Sequence, residues 1–398
     1  MSKFKRNALI SAICLMGVVF WSWTGVSQIP QPAVHLTTHP ALSQIKPFEA
    51  EATRPQSPVQ LMLQAKDAAS QPLENAKMRL QILTRPKNPW FTTDFPITEG
   101  TTLLDMEAPA PKGELQLQQM LPIRGTYKLL VNVTPITANA FTPIQQTLTL
   151  SVAESWVKYR NFGVLAAILL AAGLGGGWVI GSRQPTQPGK IAPQRVRMLL
   201  SGLIGVAIAA LLFVNVSAEL AQSHHSMAMS HPTEAAPPAD KPAKLQSQGL
   251  ELQLSGDPSA TVGQLAQFQV NVTETQTRQP VSNVRLKVTA TQLENNWVTF
   301  AYEGIPDRTG KLAWQQQFFD GAPHKIEVEV APQANATQQF QPFQVAQTIP
   351  VEGVAPPLPV RLISLTYFTG IVGVGLLLGL RFRQLNQPES YANVNNKE

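Results

Sequence analysis

Two hydrophobic periods divide the chain. In four stretches, 8–23, 161–180, 198–216 and 362–380, apolar residues predominate and no charge occurs. The last three are each about twenty residues free of charge, the helix length that crosses a hydrocarbon core about 30 Å thick. All three are expected to be transmembrane helices. The first is shorter and follows Lys3, Lys5 and Arg6. It reads as an uncleaved anchor, with a signal peptide cut after Gly25 and Ser27, before Gln28, as the alternative.

Between these stretches the period changes to two. Leu61, Leu63 and Ala65 alternate with polar neighbours, as do Met78, Leu80 and Ile82, then Tyr127, Leu129, Val131 and Val133. Further along come Phe268, Val270 and Val272, then Val284, Leu286 and Val288, then Ile326, Val328 and Val330. Strand side chains alternate faces, so each run is a strand with one buried and one wet face. Pro and Gly fall between the runs. About six or seven runs in roughly 100 residues predict an immunoglobulin-like antiparallel sandwich in each segment, with a small barrel as the competitor. Leu286 and Val328 are expected core positions. The fold class is therefore two all-β sandwiches combined with about four transmembrane helices.

The expected organisation has these boundaries. Residues 1–27 form an anchor or signal peptide, 28–158 a first outer sandwich, and 161–181 a transmembrane helix. A loop at 182–197 leads to a helix at 198–217 and a His/Met-containing, Pro-rich linker at 218–247. A second sandwich at 248–359, a helix at 362–380 and a tail at 381–398 complete the chain.

The outer segments repeat one another. "QPLENAK" at 71–77 corresponds to "QPVSNVR" at 279–285, and "VQLMLQAKD" at 59–67 to "AQFQVNVTE" at 266–274. "KGELQLQQ" at 112–119 parallels "TGKLAWQQ" at 309–316, and "GTYKLLVNVTP" at 125–135 parallels "GAPHKIEVEVAP" at 321–332. Four blocks in one order indicate an internal duplication. The Gln-Pro turn, the strand after it and the later Gly-x-Tyr/His-Lys strand resemble the bacterial FixH/YtkA-like extracytoplasmic domain. That resemblance implies a role in respiratory oxidase assembly or copper handling. The chain departs from the family in having two domains and four spans, and in placing "PKNPWFT" and "ENNWVTF" where a methionine-rich strand is expected.

Charge sets the orientation. Arg183, Lys190, Arg195 and Arg197 lie between spans two and three, against Lys158 and Arg160 on the other side of span two. Arg381 and Arg383 follow span four, against Arg361 before it. By the positive-inside rule both termini and the 182–197 loop are cytoplasmic, and both large segments lie outside a bacterial-type plasma or internal membrane. The three inner pieces hold ten Lys/Arg and two acids, a net of +8, whereas the whole chain is +6. The basic pI is thus topological and implies no nucleic acid. The expected partners are the lipid bilayer and another membrane or extracytoplasmic protein.

Candidate chemistry concentrates in "HHSMAMSHP" at 224–232. Imidazole and thioether together suit copper, Met in particular Cu(I). His225, Met227, Met229 and His231 share one parity on an extended backbone, and His224, Met227 and His231 share one face of a helix. Copper is the possible cofactor, through His224, His225, Met227, Met229 and His231. The alternative is a solvated tether, since "PTEAAPPADKPAK" follows directly. His35 and His39 stand in the matching place before the first sandwich, and His324, at a strand start, reads as structural. Gly173, Gly177 and Gly181 in span two and Gly375 and Gly379 in span four have the four-residue spacing of close helix packing.

Enzymatic readings have little to stand on. The only thiol, Cys14, lies in an apolar stretch, so no intrachain disulfide can form. No Gly-x-Ser-x-Gly turn or phosphate loop occurs, and the outer acids are scattered. Spans two to four carry no Asp, Glu, Lys, Arg or His, which disfavours a transporter. The expectation is a non-enzymatic accessory in copper handling or oxidase assembly, or else an envelope interaction protein without a metal role.

Overall fold

A computed structural model describes residues 31–49, 56–181, 196, 198, 199, 202, 243–333 and 339–385. The apolar stretch 8–23, most of 198–216 and the 224–232 run lie outside these residues. Two helices among the described residues are long and apolar enough to cross a membrane: α1 (Trp156–Ile180) and α2 (Leu358–Leu385). Each extends past its apolar stretch, so Lys158, Arg160 and Arg361 belong to the helices.

The first half contains β1 (Ala33–His39), β2 (Val59–Lys66), β3 (Ala76–Leu83), β4 (Thr102–Ala110), β5 (Glu114–Gln119), β6 (Gly125–Pro135) and β7 (Ile144–Val152). The second contains β8 (Ala243–Ser247), β9 (Leu250–Gly256), β10 (Ala260–Thr261), β11 (Leu265–Glu274), β12 (Val284–Gln292) and β13 (Trp297–Gly304). It continues through β14 (Lys311–Gln317), β15 (His324–Pro332), β16 (Phe343–Ile349) and β17 (Val351–Glu352). Alternation does what the pattern requires: β2 and β3 each bury every second residue. Leu286 and Val328 are fully buried. Two boundaries shift. The second sandwich begins at β8, inside the segment expected to be linker up to 247, because Ala243–Ser247 pairs with β9. The "HLTTHP" stretch, expected to precede the first sandwich, is mostly its edge strand β1, paired along its length with β2. Only Val34 of that strand is buried, so its sequence carries little alternation.

The duplicated turns agree in detail. Gly113 and Gly310 both have positive φ, +67° and +70°, where L side chains are strained. A Cβ at either would also run into backbone: Leu73 at Gly113, and Val272 at Gly310. Their carbonyls accept from Ala65 N and Val272 N, each at 2.8 Å, tying the β4–β5 turn to β2 in the first half and the β13–β14 turn to β11 in the second.

The halves are not separate sandwiches. One seven-stranded sheet runs β1-β2-β5-β13-β12-β15-β16, and one eight-stranded sheet runs β7-β6-β3-β4-β14-β11-β9-β8. Both cross from one half to the other, through β5–β13 and β4–β14. The crossings match pair for pair under the internal duplication. Phe300 pairs with Gln119, Ala301 with Gln118 and Tyr302 with Leu117. Their counterparts give Leu104 with Gln316, Asp105 with Gln315 and Met106 with Trp314. The repeat has folded on itself as an isologous pair inside one chain. Two strand edges that would otherwise be exposed in each half are thereby covered. One apolar cluster includes residues of both halves, among them Leu80, Leu117, Phe300 and Trp314. A smaller one, Phe48, Met120, Trp297 and Phe319, closes the seam at the end nearer the helices, with Phe95 against it.

Candidate functional site

The seam continues from the sheets into the helices. In α1 the buried residues are Gly173 and Gly177, and in α2 they are Gly375 and Gly379. A Cβ built at Gly173 would lie 3.1 Å from Gly375 Cα, and one at Gly177 would lie 3.0 Å from Gly379 Cα. Each would also collide with a carbonyl of the opposite helix, Val372 and Leu376 respectively. Because 173 faces 375 and 177 faces 379, the helices run in the same direction. Small residues let the backbones touch where dispersion, not hydrophobicity, must hold apolar helices together. Gly181 departs from this role. As the residue after α1 it faces Gly177 O and the Arg383 side chain, whose Cβ and Cγ stand 3.4 Å from its would-be Cβ.

On the outer faces of the sheets the seam forms two grooves related by the same duplication. One, about 410 Å³, is lined by Arg79, Asp105, Glu107, Gln315 and neighbours. The other, about 550 Å³, is lined by the counterparts Lys287, Ala301, Glu303 and Gln118. Arg79 binds Asp105 bidentately, Nε to Oδ1 at 2.9 Å and Nη2 to Oδ2 at 2.7 Å, and Gln81 adds a bond at 2.7 Å. Partial burial opposes ionisation of Asp105, but these hydrogen bonds outweigh it and hold its carboxyl below the ordinary value. Ala301 has no such group, so the two grooves differ in charge although they stand at duplicate positions.

Two further residues locate the frame of the sandwich. Tyr127 is buried with its hydroxyl on the backbone of Ile123, accepting from N at 2.9 Å and donating to O at 2.7 Å. This is the corner tyrosine of immunoglobulin-like sandwiches. His324 occupies the duplicate position, 1% exposed, its ring 4.5 Å from Phe318 and its Nδ1 2.8 Å from Ala322 O. Burial pushes its pKa down to about 4, so it is neutral and structural near neutrality. The "G-x-Y/H-K" block held the signal for both, but only the fold shows the bond that each ring makes.

As for metal ligation, His35 and His39 stand exposed on β1. Among the described residues no group of three or more His, Cys, Asp or Glu is placed to hold a metal ion. His224, His225, Met227, Met229 and His231 lie outside the described residues. Missed by sequence reasoning was the long β3–β4 connection, 84–101, whose polar groups reach both helices: Asp94 pairs with Lys158, and Tyr367 Oη donates to Trp90 O at 2.9 Å.

The topology and seams define a paired immunoglobulin-like β-sandwich carried on two apolar helices. No protein-family model matches the chain, and no curated protein matches it significantly. Among solved structures, FetP of uropathogenic E. coli strain F11 is 9% identical, over 29% of this chain and 97% of that one, with a TM-score of 0.21. The D0-D1 domain of intimin is 10% identical, over 80% of this chain and 98% of that one, with a TM-score of 0.17. Invasin, a bacterial integrin-binding protein, is 8% identical, over 82% of this chain and 40% of that one, with a TM-score of 0.18. Likenesses this weak carry no argument about this chain.

Proposed function

We propose that the chain is a non-enzymatic, multi-pass protein of a bacterial-type plasma or internal membrane, with both sandwich halves outside and both termini cytoplasmic. It acts as a rigid interaction platform for another membrane or extracytoplasmic protein. The observation that carries this reading is the shared pseudo-symmetry of sheets and helices, which fixes a broad double sandwich over a parallel helix pair. Such a frame orients the two seam grooves relative to the bilayer, a geometry suited to docking a second protein's surface. Reporter fusions after residues 190 and 390 are expected to read cytoplasmic, and fusions in 60–140 or 250–350 external. Photocrosslinkers at Gln118 and Gln315 in the native membrane are expected to capture a discrete partner that labels at Lys112 miss. An external reading at 190 refutes the topology, and equal capture from all positions refutes the platform.

A second reading has its own motivation. Five soft or borderline ligands, His224, His225, Met227, Met229 and His231, stand within eight residues, shortly before β8. They support accessory handling of copper, including assembly of a membrane oxidase, as the FixH/YtkA-like resemblance implies. In the purified full-length chain, Met227→Leu with Met229→Leu is expected to weaken Cu(I) while leaving zinc binding largely intact, since the thioethers but not the imidazoles are lost. Unchanged Cu(I) binding makes the run a tether.

A further inference from the structure

The duplication is broken most visibly in one place. The connection between β12 and β13 is the four-residue hairpin 293–296, but its counterpart between β3 and β4 spans 84–101. This insertion projects from the end of the sandwich from which α1 and α2 depart. At its tip Trp90 and Phe91 are 61% and 67% exposed.

That exposure is built, not slack. Asn88 Oδ1 accepts from Trp90 N at 3.0 Å and Phe91 N at 3.3 Å, bending the tip. The carboxylate of buried Glu99 accepts from Thr93 N at 2.7 Å and Asn88 N at 3.4 Å. Arg85 donates to Phe91 O at 3.1 Å and Arg124 to Thr92 O at 3.2 Å. The backbone is thus satisfied internally while two large apolar side chains face outward. A water-facing loop gains nothing from such an arrangement.

The helices give the depth of the tip. Since Gly173 faces Gly375, Lys158 and Arg160 of α1 lie level with Arg361 of α2, a basic ring at the start of the apolar stretches. Tyr367 is six residues beyond Arg361, about 9 Å along the axis. Helical side chains lean toward the N-terminus, so the Tyr367 hydroxyl, and the Trp90 carbonyl it meets, lie near the first apolar turn. Trp156 and Tyr159, both exposed, lie level with Leu358 and Arg361, at the basic ring itself. Aromatic rings with a polar edge favour the level where headgroups meet acyl chains.

We infer that the 84–101 loop is a membrane contact beside α1 and α2, seating Trp90 and Phe91 in the headgroup–acyl boundary of the leaflet that these helices enter. It rests on the reading that these helices span a bilayer. Anchored at Asp94–Lys158 and Trp90–Tyr367, the loop braces the sandwich against tilting about the helix pair. The continuity of the tip with both helices commits the occupant to lipid; a partner protein is the competing outcome.

The test uses the full chain with Cys14→Ser, carrying a single cysteine labelled with an environment-sensitive fluorophore and reconstituted alone into phosphatidylcholine vesicles. Labels at Trp90→Cys and, separately, Phe91→Cys are expected to be blue-shifted and quenched by lipids spin-labelled near the headgroup. Iodide quenching there should be several-fold weaker than at Lys112→Cys, at the opposite end of the sandwich. A label at Leu377→Cys, exposed in the far part of the apolar stretch of α2, reports on spanning itself. Lipid contact at 377 with water contact at both 90 and 91 overturns the inference and leaves the spanning reading intact. Water contact at 377 overturns the spanning reading. Protection at 90 and 91 in native membranes but not in the pure vesicles assigns the tip to a protein, which also overturns the inference.

Discussion

Replacing Trp314 by Ala tests whether the two halves are one cooperative unit. The side chain is 3% exposed on β14. It stacks on Phe268 at 5.3 Å within its own half, and lies 6.3 Å from Phe300 on β13 of the opposite sheet. Across the seam its strand partner is Met106 of the first half. Truncating a buried Trp costs about 3–5 kcal/mol, most of it lost contact and a residual cavity. The indole Nε1 has no hydrogen-bond partner to lose, which favours the lower part of that range, about 3–4 kcal/mol. At about 1.4 kcal/mol per tenfold, that equals two to three orders of magnitude in the equilibrium of global opening. Amide hydrogen exchange of the full chain in detergent reads this directly, strand by strand. Protection is expected to fall by the same factor in β11 and β9, beside the lesion in its own half, and in β3 and β6 of the other half. Unchanged protection in β3 and β6 would show that the seam pairs the edges without coupling the cores, and would refute the single-unit argument.

Three further outcomes are expected. Gly177→Leu places a side chain against the Leu376 carbonyl and should lower stability in detergent by about 1–3 kcal/mol. Gly175→Leu, with open space beside it, should be near neutral in the same melt. Tyr127→Phe leaves both polar groups of buried Ile123 without their partner and should cost about 1–3 kcal/mol in urea titration. A loss no larger than that of an exposed control would remove the corner role. For pH, burial pulls His324 from 6.5 to about 4, so its contribution is full above pH 6.5 and lost as pH falls toward 4. Burial pushes half-buried Asp320 from 3.8 to about 6, so it works in the opposite sense, destabilising as pH rises through that window. The two slopes oppose each other. Asp320→Asn should therefore uncover a loss of stability on acidification that the parent chain largely hides. A flat profile for this variant between about pH 4 and 6.5 would contradict the assignment.

Strand parity, the duplicated Gln-Pro and glycine turns and the four-residue glycine spacing could be read from residues alone. Each is local: a period of two sorts side chains between faces, positive φ selects glycine, and a missing Cβ marks where helices can approach. Which strand edges meet is not local. Edge pairing is made by backbone N–H and C=O groups that every residue carries, so nothing in "ELQLQQ" or "WVTFAYEG" announces that β5 and β13 will join. The same limit hid β1, an edge strand with a single buried residue, behind its histidines. It also misplaced the two tryptophans. "PKNPWFT" and "ENNWVTF" look like counterparts, yet Trp297 closes the seam in the interior while Trp90 stands at the tip of an insertion. Sequence alone determined that this protein has two related β-rich segments and apolar helices with close-packing faces. Only the tertiary structure decided that the segments share their sheets, because that choice is made by geometry between distant backbones.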